Sequence, residues 1–286
     1  MKKFVALMLA LVMVLALCAC GGNNDPKPTE EAKDYSSMTL DQLKAELKTV
    51  NEGKLTIATS PDFAPYEFYH VDENGNATLV GFDIAFAKYI ADKLGLELEM
   101  VPMDFDGTLA ELGAKKCDLG MAGYSPDPDR ANLMNFSKIY YEGGQCFITS
   151  KANADKIKSL DDANNSQYKI GAQTGSIQSK LAKQNTPDAD NIDLSKVPDV
   201  IAEVISGKLD GAFMETIVAK SYQAQYPEIV IVCDVPYEQE GSAIGVNKDN
   251  EVLLAALNLI IDEAINDGSL QKFVDEAGIL AIGDKY

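Results

Sequence analysis

Leu109-Ala110-Glu111-Leu112-Gly113, which leads through Lys116-Cys117-Asp118 into an apolar stretch ending at Ala122, is the segment whose reading decides the fold. The spacing predicts a helix over Thr108–Ala114 that passes directly into a strand over Asp118–Ala122. The phrase returns later, where Ile201-Ala202-Glu203-Val204-Ile205 leads through Gly207-Lys208-Leu209-Asp210 into a second apolar strand. One such repeat is weak alone, so its surroundings decide what it means.

Both copies sit in the same alternation. Around the first, Leu55–Thr59 reads as a strand, Asp83–Leu94 as a helix capped by Asp83, and Leu96–Val101 as a strand. Around the second, strands are expected at Tyr168–Ala172, Leu209–Met214 and Ile229–Cys233, and helices at Ser176–Gln184, Val200–Ser206 and Ile217–Gln225. Strand and helix in alternation imply an α/β fold with two units, each built on a mostly parallel sheet. After Gly241 a strand (Ser242–Val246), an apolar helix (Glu251–Asn266) and a short helix (Leu270–Glu276) supply cover that the first unit otherwise lacks. That arrangement needs two crossings between the units, at Ile139–Ile148, which contains Gly143-Gly144, and at Val232–Glu240. Two strand-like crossings form a hinge, so a two-lobed molecule with an interlobe cleft is expected. The expected division is residues 39–141 with 237–286 in lobe 1 and residues 142–236 in lobe 2.

Upstream, Lys2 and Lys3 precede fourteen apolar residues, Phe4–Leu17, and then Leu17-Cys18-Ala19-Cys20. This reads as a secretory leader over residues 1–19, shorter than the roughly 20 apolar residues a spanning helix requires. Residues 20–38 are polar, with Pro and Gly, and read as a flexible tether. Thr39 and Gln42 then form a capping box for a helix carrying Leu40, Leu43, Leu47 and Val50.

The formal charge is −19, and removal of Lys2 and Lys3 with the leader makes it −21. Such acidity excludes nucleic acid as a partner and offers no long-range attraction for an anion, so an anion must be gripped locally. Cys117, Cys146 and Cys233 are too few and too scattered for a disulfide framework; Cys146 and Cys233 could pair in an oxidising compartment, but buried free thiols are the leading reading. His70 is the only histidine, which argues against a zinc site, and no metal or other cofactor is expected.

Against this background stands Arg130, the single arginine among 25 basic residues, in Gly123-Tyr124-Ser125-Pro126-Asp127-Pro128-Asp129-Arg130. A guanidinium offers a planar fork that grips a carboxylate with two parallel hydrogen bonds, which lysine cannot do. Composition alone leaves carboxylate capture level with a surface arginine or an internal salt bridge. Its place after the first repeated strand matters, because open parallel sheets bind ligands beyond the carboxyl ends of their strands. Glu215 follows the second repeated strand, so a cation and a carboxylate would face one cleft.

Ala64-Pro65-Tyr66-Glu67-Phe68, Gly81-Phe82-Asp83-Ile84, Met103-Asp104-Phe105-Asp106-Gly107, Gly123 to Arg130 and Asn135-Phe136-Ser137, in this order, resemble family 3 extracellular solute-binding proteins, the amino-acid receptors of ABC uptake systems. The resemblance runs from about Lys54 to the end. It implies a type II periplasmic-binding-protein-like fold in which Arg130 clamps the ligand's α-carboxylate, with Gly123 adding a backbone contact and Ser125 a hydroxyl. It also implies that Thr174-Gly175-Ser176 is a helix-start loop aimed at that carboxylate, a plain helix cap being the competing reading. Glu215 falls where the α-ammonium is held, usually by aspartate, and a structural salt bridge is the alternative. Phe63 and Phe105 match the two aromatics around the ligand side chain, with Tyr66 and Tyr124 adding to the wall. Ser60 stands where cation and glutamine binders often carry aspartate, and with Met214 before Glu215 this gives a mild preference for a neutral amino acid. Asp83 could touch ligand, but helix capping suffices to explain it.

The leader's end resembles a lipobox, which makes Cys20 the acylated N-terminus of a lipoprotein on the extracytoplasmic face of the cell membrane. The implied partners are a free L-amino acid and an ABC permease, with the membrane reached through the lipid anchor only, and the chain is expected to be a monomer. The same fold hosts occasional enzymes such as cyclohexadienyl dehydratases. Here, however, a lone histidine in a polar turn region, the absence of a G-x-S-x-G elbow, and Ala131 and Asn132 where a calcium loop needs other residues argue for binding rather than catalysis. A sensor or adhesin domain using the same cleft is the further alternative.

Overall fold

The computed structural model describes residues 34–238 and 241–283. The leader, Cys20, most of the tether and the last two residues of the Val232–Glu240 crossing lie outside the described residues. The chain divides into two units after Ser37. Within the first, the Asp34 carboxylate accepts the Ser36 amide at 2.9 Å.

The second unit opens with α1 (Leu40–Glu46), closed by its capping box: Thr39 Oγ1 accepts the Gln42 amide, and Gln42 Oε1 accepts the Thr39 amide at 2.8 Å. β1 (Lys54–Thr59) is followed by an antiparallel patch, β2 (Asp62–Phe63), β3 (Glu67–Val71) and β4 (Ala77–Val80). Then come α2 (Phe82–Leu94), β5 (Glu97–Pro102), α3 (Phe105–Gly113), β6 (Leu119–Gly120), a 3-10 turn at Pro128–Arg130 and β7 (Met134–Tyr141). The chain crosses into β8 (Gln145–Ser150), α4 (Leu160–Ala163), β9 (Lys169–Gln173), α5 (Ile177–Asn185), β10 (Asp190–Leu194), α6 (Val197–Ser206), β11 (Gly211–Glu215), α7 (Thr216–Gln225) and β12 (Ile229–Val235). It returns through β13 (Ser242–Asn247) to α8 (Glu251–Asn266) and α9 (Ser269–Gly283).

Two five-stranded sheets result, ordered β5-β1-β6-β13-β7 and β10-β9-β11-β8-β12, and each with its helices forms one lobe. As expected of mostly parallel sheets, four of the five strands in each run in one direction, and one strand in each is reversed. β1 runs parallel to β5 and β6, and β9 to β10 and β11, but β13 and β8 are antiparallel to both their neighbours. Strands that arrive from the other lobe enter the sheet from its opposite end and so run against those already there.

The repeated phrase has a physical role. Asp118, just before β6, accepts the amides of Thr56 at 2.9 Å and Val50 at 2.7 Å; Asp210, just before β11, accepts the Lys169 amide at 2.9 Å. Each aspartate thus pins the start of the neighbouring parallel strand. The lobes have separate cores: Phe147, Ile170, Leu181 and Phe213 in one, and Ala58, Leu112, Tyr124 and Met134 in the other. Full burial of a side chain such as Phe147 contributes about 1.5–3 kcal/mol.

The Asp83 expectation changes, while of the two cysteine readings the free thiols stand. Asp83 does not cap α2: Gly81 occupies the cap position, and the Asp83 carboxylate accepts the Gly123 amide at 3.2 Å and the Tyr140 hydroxyl at 2.5 Å. The thiols of Cys117, Cys146 and Cys233 are free. Cys233 pairs with Phe147 across the ladder while Cys146 pairs with Asp234, so the two cysteines point to opposite faces of the sheet and do not bridge.

Candidate functional site

The loop after β6 ends in the short 3-10 turn because Pro128 presets its first residue and Asp127 Oδ1 accepts the Asp129 amide at 3.0 Å. The turn holds Arg130 at 7% exposure, with Nη2 donating to the Gly175 carbonyl at 3.0 Å and Cζ lying 5.8 Å from the Phe105 ring centre. Arg130 is therefore not a surface residue. Burial lowers its pKa, yet a guanidinium keeps its charge at any physiological pH. The nearby Asp127 is bound instead by Lys180 of the other lobe, at 3.1 Å.

Glu215 ends β11 and caps α7, with Oε2 accepting the amides of Ile217 at 2.7 Å and Val218 at 3.0 Å. Its other oxygen, Oε1, is buried and has no hydrogen-bond partner among the described residues. Burial pushes its pKa up to about 7. Backbone fills the space beside it: a Cβ on Gly143 would lie 2.6 Å from Oε1. The salt-bridge alternative for Glu215 is not what the geometry shows, since the carboxylate is a helix cap with a second, unpartnered oxygen.

Two serines are set with opposite polarity. Ser125 Oγ accepts from Gln145 Nε2 at 3.3 Å, and Gln145 Oε1 in turn accepts from Gln178 Nε2 at 2.8 Å, so the Ser125 proton is left to donate. Ser60 Oγ donates to Asp62 Oδ1 at 3.0 Å. Asp62 Oδ2 accepts Gln173 Nε2 and the Val197 amide, each at 3.0 Å, both from the other lobe. Ser60 and Asp62 line a groove of about 390 Å³ with Met103 and Asp104 on one side and Lys196 and Pro198 on the other.

Phe63 and Phe105 are both 7% exposed. Gly123 turns at φ +56°, where a Cβ would stand 2.7 Å from the Phe63 ring, so glycine is required twice over. Tyr66 lies wholly buried behind Phe63, ring centres 5.3 Å apart, its hydroxyl hydrogen-bonded to Ser242 Oγ at 2.8 Å; Tyr124 meets Phe105 edge-on and donates to Thr108. In the Thr174-Gly175-Ser176 loop, the Thr174 amide donates to the Leu194 carbonyl and the Ser176 amide to that of Gln173, while Ser176 Oγ caps α5. The loop reaches Arg130 through a carbonyl. Met214 is buried in β11, paired with Cys146.

The sequence reading missed Asp62, Gln145, Gln173 and Lys180, which join the lobes, and Gln178, which holds Gln145 in place. None has a spacing signature; each is a polar residue whose partner is remote in the chain. It also missed that Asp83 ties down the Gly123 amide.

The family model of bacterial extracellular solute-binding proteins, family 3, matches residues 55–277. The arginine-binding extracellular protein ArtP of Bacillus subtilis is 31% identical over 276 residues, covering 95% of this chain and 96% of that protein. Among solved structures, the amino acid ABC transporter substrate-binding protein AbpA from Streptococcus pneumoniae, bound to L-arginine, is similar with TM-score 0.77 and 32% identity, covering 86% of this chain and 100% of the other. An ancestral amino-acid-binding protein, AncCDT-1, a precursor of cyclohexadienyl dehydratase, is similar with TM-score 0.71 and 31% identity over 84% of this chain and 98% of the other.

Proposed function

This chain belongs to the bacterial extracellular solute-binding proteins of family 3, and from that premise we propose that it closes its two lobes around a free amino acid and presents it to an ABC permease. The observation that carries this reading is that one lobe holds a buried guanidinium, Arg130, and the other a buried carboxylate, Glu215, with one oxygen unpartnered among the described residues. Arg130 and the Ser125 hydroxyl donate to the α-carboxylate, and Glu215 Oε1 accepts from the α-ammonium. The Gly123 amide is held by Asp83, so the backbone contact left to Gly123 is its carbonyl, an acceptor suited to the ammonium. Phe63 and Phe105 wall the side chain, with Tyr66 and Tyr124 behind them.

Closure follows because the two charges of the ligand join groups on different lobes, so binding favours the closed state over the open one. Lobe 1 comprises residues 39–141 and 237–286, and lobe 2 residues 142–236. The protein acts as a monomer, anchored through acylated Cys20 to the extracytoplasmic face of the membrane. It binds without turnover, a reading consistent with the two thiols that burial pushes up to about 12, Cys117 and Cys146, neither of which is a thiolate nucleophile. A thermal-shift screen of the standard amino acids tests the reading, since a ligand that binds only the folded state raises the melting temperature. If no amino acid raised it, the reading would fail.

A further inference from the structure

Resting on the proposed amino-acid site, we infer that Glu67 is a positioning residue for the ligand's ammonium: its protonated carboxyl donates to Asp83, which keeps the Gly123 amide engaged and the Gly123 carbonyl turned to the cleft. The backbone brings the two acids together. The Phe82 amide donates to the Pro65 carbonyl at 3.0 Å and the Asp83 amide to that of Tyr66 at 2.9 Å, which bolts the segment before Glu67 to the start of α2. Gly81 lets the two chains touch, since a Cβ there would stand 2.1 Å from the Tyr66 carbonyl oxygen and 2.9 Å from Glu67 Cα. Both carboxyls are wholly buried, at 0% exposure, and lie within hydrogen-bonding reach of one another.

Their surroundings are unequal. Asp83 accepts the Gly123 amide on one oxygen and the Tyr140 hydroxyl on the other, so donors already stabilise its charge. Neither Glu67 oxygen has a donor among the described residues. The groups whose charge reaches Glu67, Asp83 and Asp62, are both acidic, and the nearby hydroxyls of Tyr124 and Tyr140 donate elsewhere, to Thr108 and Asp83. Two carboxyls in contact away from water do not both ionise, and the proton settles on the one without donors. Burial accordingly raises Glu67 well above the usual carboxylate range and Asp83 to about 6. Protonated Glu67 then gives Asp83 a third donor, and Asp83, left ionised, holds the Gly123 amide with the stronger, charge-assisted kind of hydrogen bond. The loop that carries Gly123 is held with it. Glu67, wholly buried, acts without touching the ligand.

Infrared difference spectra of the ligand-free wild type against Glu67→Gln at pH 7.5 test the proton, and affinities test its role. The wild type should show the carbonyl stretch of a protonated carboxyl that Glu67→Gln lacks. For binding, the probes are the standard amino acids, screened by thermal shift, with those that bind titrated by calorimetry. Glu67→Leu, which fills the space without a donor, should weaken each of them at least about threefold, and Glu67→Gln, whose amide still donates to Asp83, should restore most of that affinity. Absence of the band, no recovery in Glu67→Gln, or wild-type affinity in Glu67→Leu overturns the inference and leaves the amino-acid reading standing. Should Glu67→Leu fail to fold, a loss of about threefold or more in Glu67→Gln overturns it in the same way. If no standard amino acid binds, the amino-acid reading fails and the Gly123 role with it, whether or not the band is there.

Discussion

Arg130 Nη2 donates to the Gly175 carbonyl at 3.0 Å, which ties the single arginine of one lobe to the loop that begins α5 in the other. The fork has further N–H groups in the same plane, so one can hold the opposite lobe while others hold a ligand carboxylate. Lysine offers a point charge that cannot do both with fixed geometry. Arg130→Lys should therefore cost at least about 1.5 kcal/mol of affinity for any amino acid that binds, read by calorimetric titration. Unchanged affinity would show that this guanidinium does not hold the ligand.

Glu215 makes binding depend on pH. Burial raises its pKa from the ordinary 4.5 to about 7, so in the ligand-free protein it favours the folded state most at acid pH, and that contribution is lost as pH rises through 7. Asp83, raised to about 6, acts in the same direction. An ammonium ligand reverses the preference at Glu215 because it requires the carboxylate. Affinity should rise between pH 5.5 and 7.5, by less than tenfold per unit, with a proton released on binding. Titrations in buffers of different ionisation enthalpy would count that proton; affinity that falls with rising pH would remove Glu215 from the ammonium's side.

Gly143 is the backbone that lets Glu215 keep its place. A Cβ there would meet Oε1 at 2.6 Å and the Tyr141 ring at 3.2 Å. Gly143→Ala should cost about 1–3 kcal/mol of stability and weaken ligand binding as well, the first read by thermal denaturation and the second by titration. A hinge role alone would alter closure without lowering the melting temperature of the ligand-free protein.

Much of this architecture was legible because helix and strand periods alternate in long, apolar runs, and because Asp118 and Asp210 recur before matching strands to do the same job. Arg130 stood out by its rarity, and Glu215 by its place after a strand, and both side chains are buried. The β3–β4 hairpin was missed although its turn was visible: Asp72 accepts the amides of Asn74 and Asn76, but the flanking strands are short and leave Tyr69 and Val71 exposed. Asp83 looked like a cap because aspartate before an apolar helix usually is one. Its actual partners, Gly123 and Tyr140, lie far along the chain, and no local pattern encodes such pairs. The same is true of Asp62 with Gln173, and of Gln145 with Gln178.

Lys180 reaches from α5 to Asp127 at 3.1 Å and to Asp129, the latter exposed. Exposed ion pairs are worth up to about 1 kcal/mol and are screened by salt. Because this one spans the lobes, Lys180→Ala should weaken every amino acid by a similar factor, and the loss should shrink as ionic strength rises. A change confined to one ligand would mean that Lys180 contacts the side chain.

Gln178 gives the last test, because it acts on the ligand only through two hydrogen bonds that end at Ser125. It donates to Gln145 Oε1, which turns the Gln145 amide nitrogen toward Ser125 and leaves the Ser125 proton for a carboxylate. Gln178→Leu removes that anchor while filling similar volume. The Gln145 amide is then free to turn its oxygen to Ser125, which would draw the hydroxyl proton away from the cleft. Loss of one hydrogen bond of this kind corresponds to about 0.5–1.5 kcal/mol. The effect should be uniform across amino acids, since all share the α-carboxylate. A loss confined to one amino acid would mean that the Gln178–Gln145–Ser125 relay acts on the ligand's side chain and not on its α-carboxylate.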